Sequence, residues 1–200
     1  FDQFIDLQLQ KASSGLSFAT SQTLILEKLE QVLRPSDSTV STKATDFFAS
    51  LSTVSQDPSD LAARNISIDA GRALVSSITS VANGINDLRE LASDTLYGNI
   101  TDFNHTVELL AGVQAEILGN SSAKNIPNSL LDQRDGHLKT LSKLADISVE
   151  YFQNGSVKIS LGMTGQGQSL IDGLEQRKLA IQTENETANI YLNGNKNSYL

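Results

Sequence analysis

The residues best suited to chemistry lie close together in one short segment, where Asp132, Asp135 and His137 accompany Arg134. Carboxylates and imidazoles are the groups that enzymes use as general acids, general bases and metal ligands. The apolar spacing around this segment predicts a helix, on which Asp132 and Asp135 lie one turn apart while Arg134 points elsewhere. We therefore interpret the segment as a polar network that ties this helix to its neighbours, with catalysis as the less favoured alternative.

The other candidates for chemistry are sparse. His105 and His137 are the only histidines of the sequence, and neither has a second histidine or a carboxylate four residues further on, the spacing of a helical zinc site. We interpret both as solvent-facing or packed side chains. The absence of cysteine excludes disulfides, thiolate nucleophiles and cysteine-metal sites. We expect no catalytic residue, no metal site and no cofactor.

Two loops resemble ligand-binding motifs only superficially. Gly165-Gln166-Gly167 has the glycines of a phosphate loop, but it follows a predicted hairpin strand and no helix start comes after it. The acidic segment from Asp57 to Asp60 lacks the ligand spacing of a calcium loop. Its pattern instead predicts a helix start, with Asp57 as the N-cap, Pro58 as the first helical residue and Asp60 as the capping-box partner.

The elements of the chain are organised around a central segment from about Pro58 to Gly119, which has no internal proline. Its apolar residues recur in steps of three and four, which predicts one face of a long helix. They are Leu74, Ile78, Val81, Ile85, Leu88, Phe103, Val107, Leu110, Val113 and Ile117. At ~1.5 Å per residue such a helix would reach on the order of 90 Å, so we expect partner helices along it. Gly98-Asn99 is a position at which it could break or kink.

Further helices are predicted on both sides of the central one. The first covers about residues 1–34 and has a weak point at Ser13-Ser14-Gly15, and the last ends at about Ala145. Between them, a short helix over residues 42–55 has Phe47, Phe48, Leu51 and Val54 as its expected buried side. We also expect close helix packing at the glycines of the central helix, which are Gly71, Gly84, Gly98 and Gly112.

The chain changes from a helical to a strand period after residue 146. Alternating apolar residues on either side of Asn154-Gly155 predict a β-hairpin with a type I′ turn, and short strands are predicted over 169–171, 178–183 and 189–192. The predicted fold is therefore mainly α with a small β part. It is an elongated bundle of long helices over residues 1–146, followed by a β-rich part over residues 147–200.

Composition limits the classes of partner. A net charge of -8 and a pI near 4.7 argue against binding to nucleic acid or to an anionic membrane, which would repel the chain. No apolar run approaches the ~18 residues that suggest a membrane span. The sequence begins at Phe1 within an apolar pattern and without a methionine, so we expect an excised piece whose true ends are absent.

Several groups of residues, in order along the chain, resemble the flagellar hook-associated protein 1 family, the hook-filament junction proteins. The groups near the predicted helix junction are Phe47-Phe48 with Leu51, Asp57-Pro58 and Ala62-Ala63-Arg64. Those in the later helices are Asn104, Leu110-Ala111, Val113-Gln114, Ile117, and Leu131-Asp132-Gln133-Arg134-Asp135 with Leu138 and Leu141. Those in the β part are Asn154-Gly155-Ser156-Val157 and Gly167-Gln168-Ser169-Leu170. One departure is Gln114, which stands where the family usually has Asn.

The resemblance implies a secreted, extracellular structural subunit of the bacterial flagellum that is exported through the flagellar type III pathway. It implies assembly in a ring between hook and filament, with contacts to copies of itself, to hook protein and to the second junction protein. Because the terminal segments that form the family's inner coiled coil are missing, we expect this piece alone to be monomeric. The alternatives are another flagellin-like axial protein, such as flagellin or the second junction protein, and a metal-dependent enzyme that uses Asp132, Asp135 and His137.

Overall fold

The structure is a computed structural model that describes residues 3–33, 39–120, 126–184 and 187–193. These residues form four helices, α1 (Gln3–Leu33), α2 (Val40–Gln56), α3 (Leu61–Gly119) and α4 (Asn128–Leu144). Six strands follow, β1 (Ile147–Tyr151), β2 (Val157–Leu161), β3 (Ser169–Asp172), β4 (Glu175–Gln176), β5 (Leu179–Glu184) and β6 (Thr187–Leu192). The fold is mainly helical with two small antiparallel sheets, which confirms the predicted fold class.

Contacts group the chain into two units. The first unit combines residues 1–21 with residues 93–200, and the second unit comprises residues 22–92. Both α1 and α3 therefore contribute residues to each unit. The division predicted at residues 1–146 and 147–200 follows the change from helix to strand, and it stays a prediction about domain boundaries.

Helix α3 is continuous through Gly98-Asn99, and α1 is continuous through Ser13-Ser14-Gly15, so neither suspected defect interrupts its helix. The predicted cap of α3 is wrong by three residues. The Asp60 carboxylate accepts the N–H groups of Ala62 (2.8 Å) and Ala63 (3.3 Å), which makes Asp60 the N-cap. Asp57 instead accepts bonds from the Ser59 N–H and hydroxyl, and it ends α2.

Helix α2 buries a different side from the one predicted. Ser50 is buried and Phe47 and Val54 are half-buried, whereas Phe48 and Leu51 are exposed. The Phe47 ring lies against Gly71 of α3, 3.1 Å from where a Cβ would be. The missing glycine side chain makes room for this ring, so the contact face turns towards Phe47 and the small Ser50, away from the second phenylalanine.

The large buried apolar side chains lie in the first unit. The second part of the α3 stripe packs there against α4 and the strands, and the predicted residues from Phe103 to Ile117 are all buried. The main cluster consists of Phe103, Val107, Leu110, Leu138, Leu141, Ile147, Val149, Val157, Ile159, Leu161, Leu170, Ile171, Leu179 and Leu192. The amphipathic helix and the alternating strands thus share one core.

The predicted hairpin is present, but its turn differs from the predicted type I′ turn. Strands β1 and β2 pair in antiparallel register, with Tyr151 opposite Val157. The Gly155 N–H donates to the Phe152 carbonyl (3.0 Å), and the Phe152 N–H donates to the Ser156 carbonyl (2.9 Å). With Gly155 at φ 76°, this pattern is a longer turn with a glycine bulge. Sequence alone does not distinguish it, since both turn types favour Asn-Gly.

The other strands extend the β part. Strands β1 to β4 form one sheet in that order, and β5 and β6 form a separate hairpin with Leu179 opposite Leu192. In the loop between β2 and β3, a Cβ on Gly167 would overlap the Leu161 carbonyl oxygen. Gly167 therefore allows close backbone packing in this loop.

Candidate functional site

Arg134 joins helix α4 to the tip of the β1–β2 hairpin. Its side chain is 6% exposed, and its Nη1 donates to the Gly155 carbonyl at 2.6 Å. Its Nε and Nη2 both lie 2.8 Å from Oδ1 of Asp135, and the guanidinium stands 5.1 Å from the Tyr151 ring centroid. These contacts confirm the predicted polar network. The expectation that Arg134 points away from its acidic neighbours is wrong, because it pairs with Asp135.

A second contact to the same hairpin comes from Gln114, which is 1% exposed. Its Nε2 donates to the Val157 carbonyl (2.6 Å), and its Oε1 accepts the Val157 N–H (3.1 Å). One side-chain amide thus satisfies both backbone groups of the first residue of β2. Buried backbone groups need such partners, so this pair of bonds fixes the hairpin on α3.

Asn104 repeats this arrangement ten residues earlier on α3. Its Nδ2 donates to the Leu179 carbonyl (2.8 Å), and its Oδ1 accepts the Leu179 N–H (2.7 Å) at the start of β5. An ion pair between Lys178 and Glu108 (3.0 Å) lies beside it and lowers the pKa of the Glu108 carboxyl. The helix therefore holds the second hairpin with the same chemistry as the first.

The double role of the two amides was missed by sequence reasoning, although a signal exists. Asn104 lies three residues before Val107, and Gln114 lies three residues before Ile117, so both occupy the apolar face of α3. A side-chain amide on a face that is otherwise buried must find hydrogen-bond partners. The unpaired backbone of a strand end supplies them here.

The three residues of the enzyme alternative, Asp132, Asp135 and His137, all lie on α4. Asp132 is exposed on α4, and Asp135 is engaged by Arg134. Burial lowers the pKa of His137, and the charge of His105 acts in the same direction. Across the described residues, no set of three His, Asp or Glu side chains is arranged to hold a metal ion.

The second unit presents an open apolar stripe along α3. It consists of Leu61, Ile68, Val75, Ile78 and Ile85, which follow each other in steps of seven, seven, three and seven and are 38% to 71% exposed. Ile78 and Ile85 belong to the predicted buried face, and that expectation is wrong for them within this chain. Leu74, Val81 and Leu88 are half-buried.

Within the described part of the second unit, no large apolar side chain is fully buried. The buried residues there are Ser50, Ala63 and Ser67, all of them small. A stripe at heptad spacing is the pattern by which one helix packs against another.

None of the helices described combines the length and the apolar character needed to cross a membrane.

Comparisons with known proteins point to one family. A family profile described as the flagellar hook-associated protein FlgK helical domain matches residues 26–199. Flagellar hook-associated protein 1 of Escherichia coli K12 is 28% identical over 90% of this chain and 33% of its own length. The protein of the same name from Bacillus subtilis 168 is 23% identical over 91% of this chain and 36% of its own length.

A solved structure gives the same result. The flagellar hook junction protein FlgK from Burkholderia pseudomallei superposes with a TM-score of 0.82 at 27% identity, over 97% of this chain and 36% of that one. The chain therefore spans about a third of the length of these relatives. The profile match covers most of the sequence, including the Arg134 network and both amide contacts. The chain belongs to the family of the flagellar hook-associated protein FlgK helical domain.

Proposed function

We propose that this chain is part of a structural subunit of the bacterial flagellum that forms the junction between hook and filament. The subunit assembles in a ring outside the cell and contacts copies of itself. Hook protein lies on one side of the ring, and the second junction protein lies on the other. Membership of the family supports this role, and so does a fold whose polar residues hold structural elements together.

The observation that carries the proposal is the open apolar surface of the second unit. An unburied Leu, Ile or Val forgoes roughly 1.5 to 3 kcal/mol of hydrophobic stabilisation, and the open apolar stripe has five such side chains. Side-by-side packing with helices of neighbouring copies would bury them. We therefore assign the open apolar stripe to contacts between subunits within the ring.

The role proposed here needs shape and contact surfaces and no catalysis. Within the Asp132 to His137 segment, Arg134 and Asp135 serve the joint between α4 and the hairpin. A metal-dependent enzyme would need these groups free to bind a ligand. We propose that the chain is not an enzyme and uses no cofactor.

Gene deletion in the motile source bacterium tests the function. Cells without the full-length protein should carry hooks without filaments and should release filament protein into the medium. Complementation with the unaltered gene should restore filaments and swimming. Filaments on cells that lack the gene would contradict the junction role.

Variants of the open apolar stripe test its assignment. Full-length protein with both Ile78→Asp and Ile85→Asp should fold, as judged by circular dichroism, and should fail to restore filaments. The matched control carries Ser76→Asp and Ser80→Asp, which add the same charges at exposed polar positions of the same helix. Full complementation by the isoleucine variant would remove the open apolar stripe from the subunit contacts.

A further inference from the structure

Asn154-Gly155 has a chemistry of its own, which its role in the hairpin does not use. In an Asn-Gly sequence the glycine nitrogen can attack the side-chain carbonyl carbon of the asparagine. A new N–C bond forms, the bond from that carbon to Nδ2 breaks, and ammonia leaves, giving a five-membered succinimide. Water then opens the ring to aspartate or isoaspartate. No cofactor or oxidant is needed, and glycine favours the reaction because it has no side chain to hinder the attack.

The electrophile of this reaction is held and polarised in the structure. The Asn154 Oδ1 atom accepts hydrogen bonds from the Ser156 N–H (3.1 Å) and from the Ser156 hydroxyl (2.6 Å). Negative charge develops on this oxygen when the carbonyl carbon is attacked. Two donors at such a position stabilise an oxyanion, in the way that enzymes stabilise tetrahedral intermediates.

The nucleophile, which is the Gly155 nitrogen, is by contrast engaged in a hydrogen bond. The Gly155 N–H donates to the Phe152 carbonyl at 3.0 Å, and the Gly155 carbonyl accepts Nη1 of Arg134 at 2.6 Å. The N–H and the carbonyl of Gly155 are thus both hydrogen-bonded to residues other than Asn154. The nitrogen must lose its proton and approach the side chain to react, so the turn bond has to open first.

We propose that Asn154 is a self-modification site gated by the hairpin tip, and that it converts to aspartate or isoaspartate only when the tip leaves α4. The gate consists of the turn bond at Gly155, which the anchor from Arg134 to the Gly155 carbonyl holds in place. The donors on Asn154 come from the nearby Ser156, so they can polarise the amide carbonyl once the turn bond has opened.

The conversion would be irreversible, and its isoaspartate product would hinder the tip from docking again. Packing around Gly155 is tight, since a Cβ there would lie 2.7 Å from Cδ1 of Ile126 and 3.3 Å from Cδ2 of Leu131. Isoaspartate adds a methylene to the backbone immediately before Gly155, which would displace the glycine from this close packing. Chains that contain isoaspartate would therefore accumulate with a detached tip.

The test compares rates of conversion at Asn154 in the intact protein. The protein is incubated in mildly alkaline buffer, folded or in concentrated urea, and peptide mapping by mass spectrometry follows the exchange of the amide for a carboxyl group. The folded protein should convert at least about tenfold more slowly than the unfolded protein, because only its open fraction reacts. Equal rates in the two states would overturn the proposal.

Two further measurements keep the result specific. Arg134→Lys removes the donor geometry at Gly155 and should accelerate conversion of folded protein, whereas Arg72→Lys, which alters an exposed ion pair with Asp69, should not. In unaltered protein, the conversion rate should rise in proportion to hydrogen exchange at the Gly155 amide as urea is added below the unfolding transition. A folded Arg134→Lys variant with an unchanged rate, or exchange that rises without conversion, would contradict gating by the tip.

Discussion

At the scale of single residues, three polar side chains, two buried and one half-buried, connect the helices to the strands. Gln114 and Asn104 each satisfy both backbone groups of one strand residue, and Arg134 binds the hairpin tip. Residue types and helical spacing predicted the Arg134 network, because Asp132 and Asp135 lie one turn apart and do not suit a self-contained acid/base pair. They did not predict the strand partners of the two amides, since these come from residues 43 and 75 positions away.

Replacement of Gln114 tests the amide contact. Gln114→Leu keeps the size of the side chain but leaves the Val157 N–H and carbonyl without this partner. The free energy of unfolding should fall by about 2 to 4 kcal/mol, measured by urea denaturation. Gln133→Leu, at an exposed position of α4, should change it by less than about 0.5 kcal/mol. A Gln114→Leu protein as stable as the unaltered one would show that the bonds to Val157 contribute nothing net.

His137 makes stability depend on pH. Burial lowers its pKa below the ordinary value of 6.5, and the charge of His105 acts in the same direction. As the pH falls below 6.5, the unfolded chain takes up a proton that the folded chain refuses, so the free energy of unfolding decreases until the folded pKa is passed. At pH values well above 6.5, His137 is neutral in both the folded and the unfolded chain, so it does not make the free energy of unfolding depend on pH.

The measurement is urea denaturation at about pH 7.5 and about pH 5.5. His137→Gln should lose less stability between the two values than the unaltered protein does. Comparing the two proteins at each pH cancels the titration of carboxylates such as Glu108, which both share. An identical loss in both proteins would show that His137 titrates alike in the folded and unfolded chains.

At the scale of elements, sequence periodicity located every helix and nearly every strand of the described residues. Its failures are local. The N-cap of α3 is Asp60 instead of the predicted Asp57, and the hairpin turn contains a glycine bulge. Helix α2 packs Phe47 against Gly71, which differs from its predicted buried side. Each depends on a contact between elements or on a choice between turns with the same residue preferences. The two-residue strand β4 has no detectable period of its own.

The glycines of α3 divide into two kinds, which mutation can separate. A Cβ on Gly84 would lie 2.9 Å from Val32, whereas one on Gly98 would meet nothing within 4 Å. Gly84→Ala should therefore lower the free energy of unfolding through overpacking. Gly98→Ala should raise it by about 0.5 to 1 kcal/mol, because alanine is the better helix former.

Thermal or urea unfolding of both alanine variants checks this contrast, with Gly112→Ala as a second open position. The close packing expected from the sequence holds at Gly71 and Gly84, which contact Phe47 and Val32, and is wrong for Gly98 and Gly112, which face open space. Equal effects at Gly84 and Gly98 would show that helix propensity alone decides the outcome.

At the scale of the whole molecule, the large buried apolar side chains lie in one unit, whereas the described part of the other unit buries none. Sequence indicated that the long helix needs partners but did not show where the chain itself supplies them. The chain supplies packing partners for the long helix from Phe103 to Ile117, whereas Ile78 and Ile85 remain exposed. That difference depends on tertiary packing, which periodicity along one helix cannot report.

The isolated chain should be monomeric in dilute solution. Relatives are about three times as long, and we propose that segments outside this sequence drive polymerisation. The open apolar stripe alone offers five side chains, too small a surface to hold a stable dimer at micromolar concentration. Sedimentation velocity should give one species with the mass of a single chain. A stable oligomer would mean that the stripe associates without the remaining segments.

The central claim is tested most directly by locating the protein on intact flagella. Gold-labelled antibodies raised against residues 26–199 are applied to purified hook-filament structures and viewed by electron microscopy. The account predicts one narrow band of label at the boundary between hook and filament. Label along the whole filament, at its tip, or nowhere on the flagellum would contradict it.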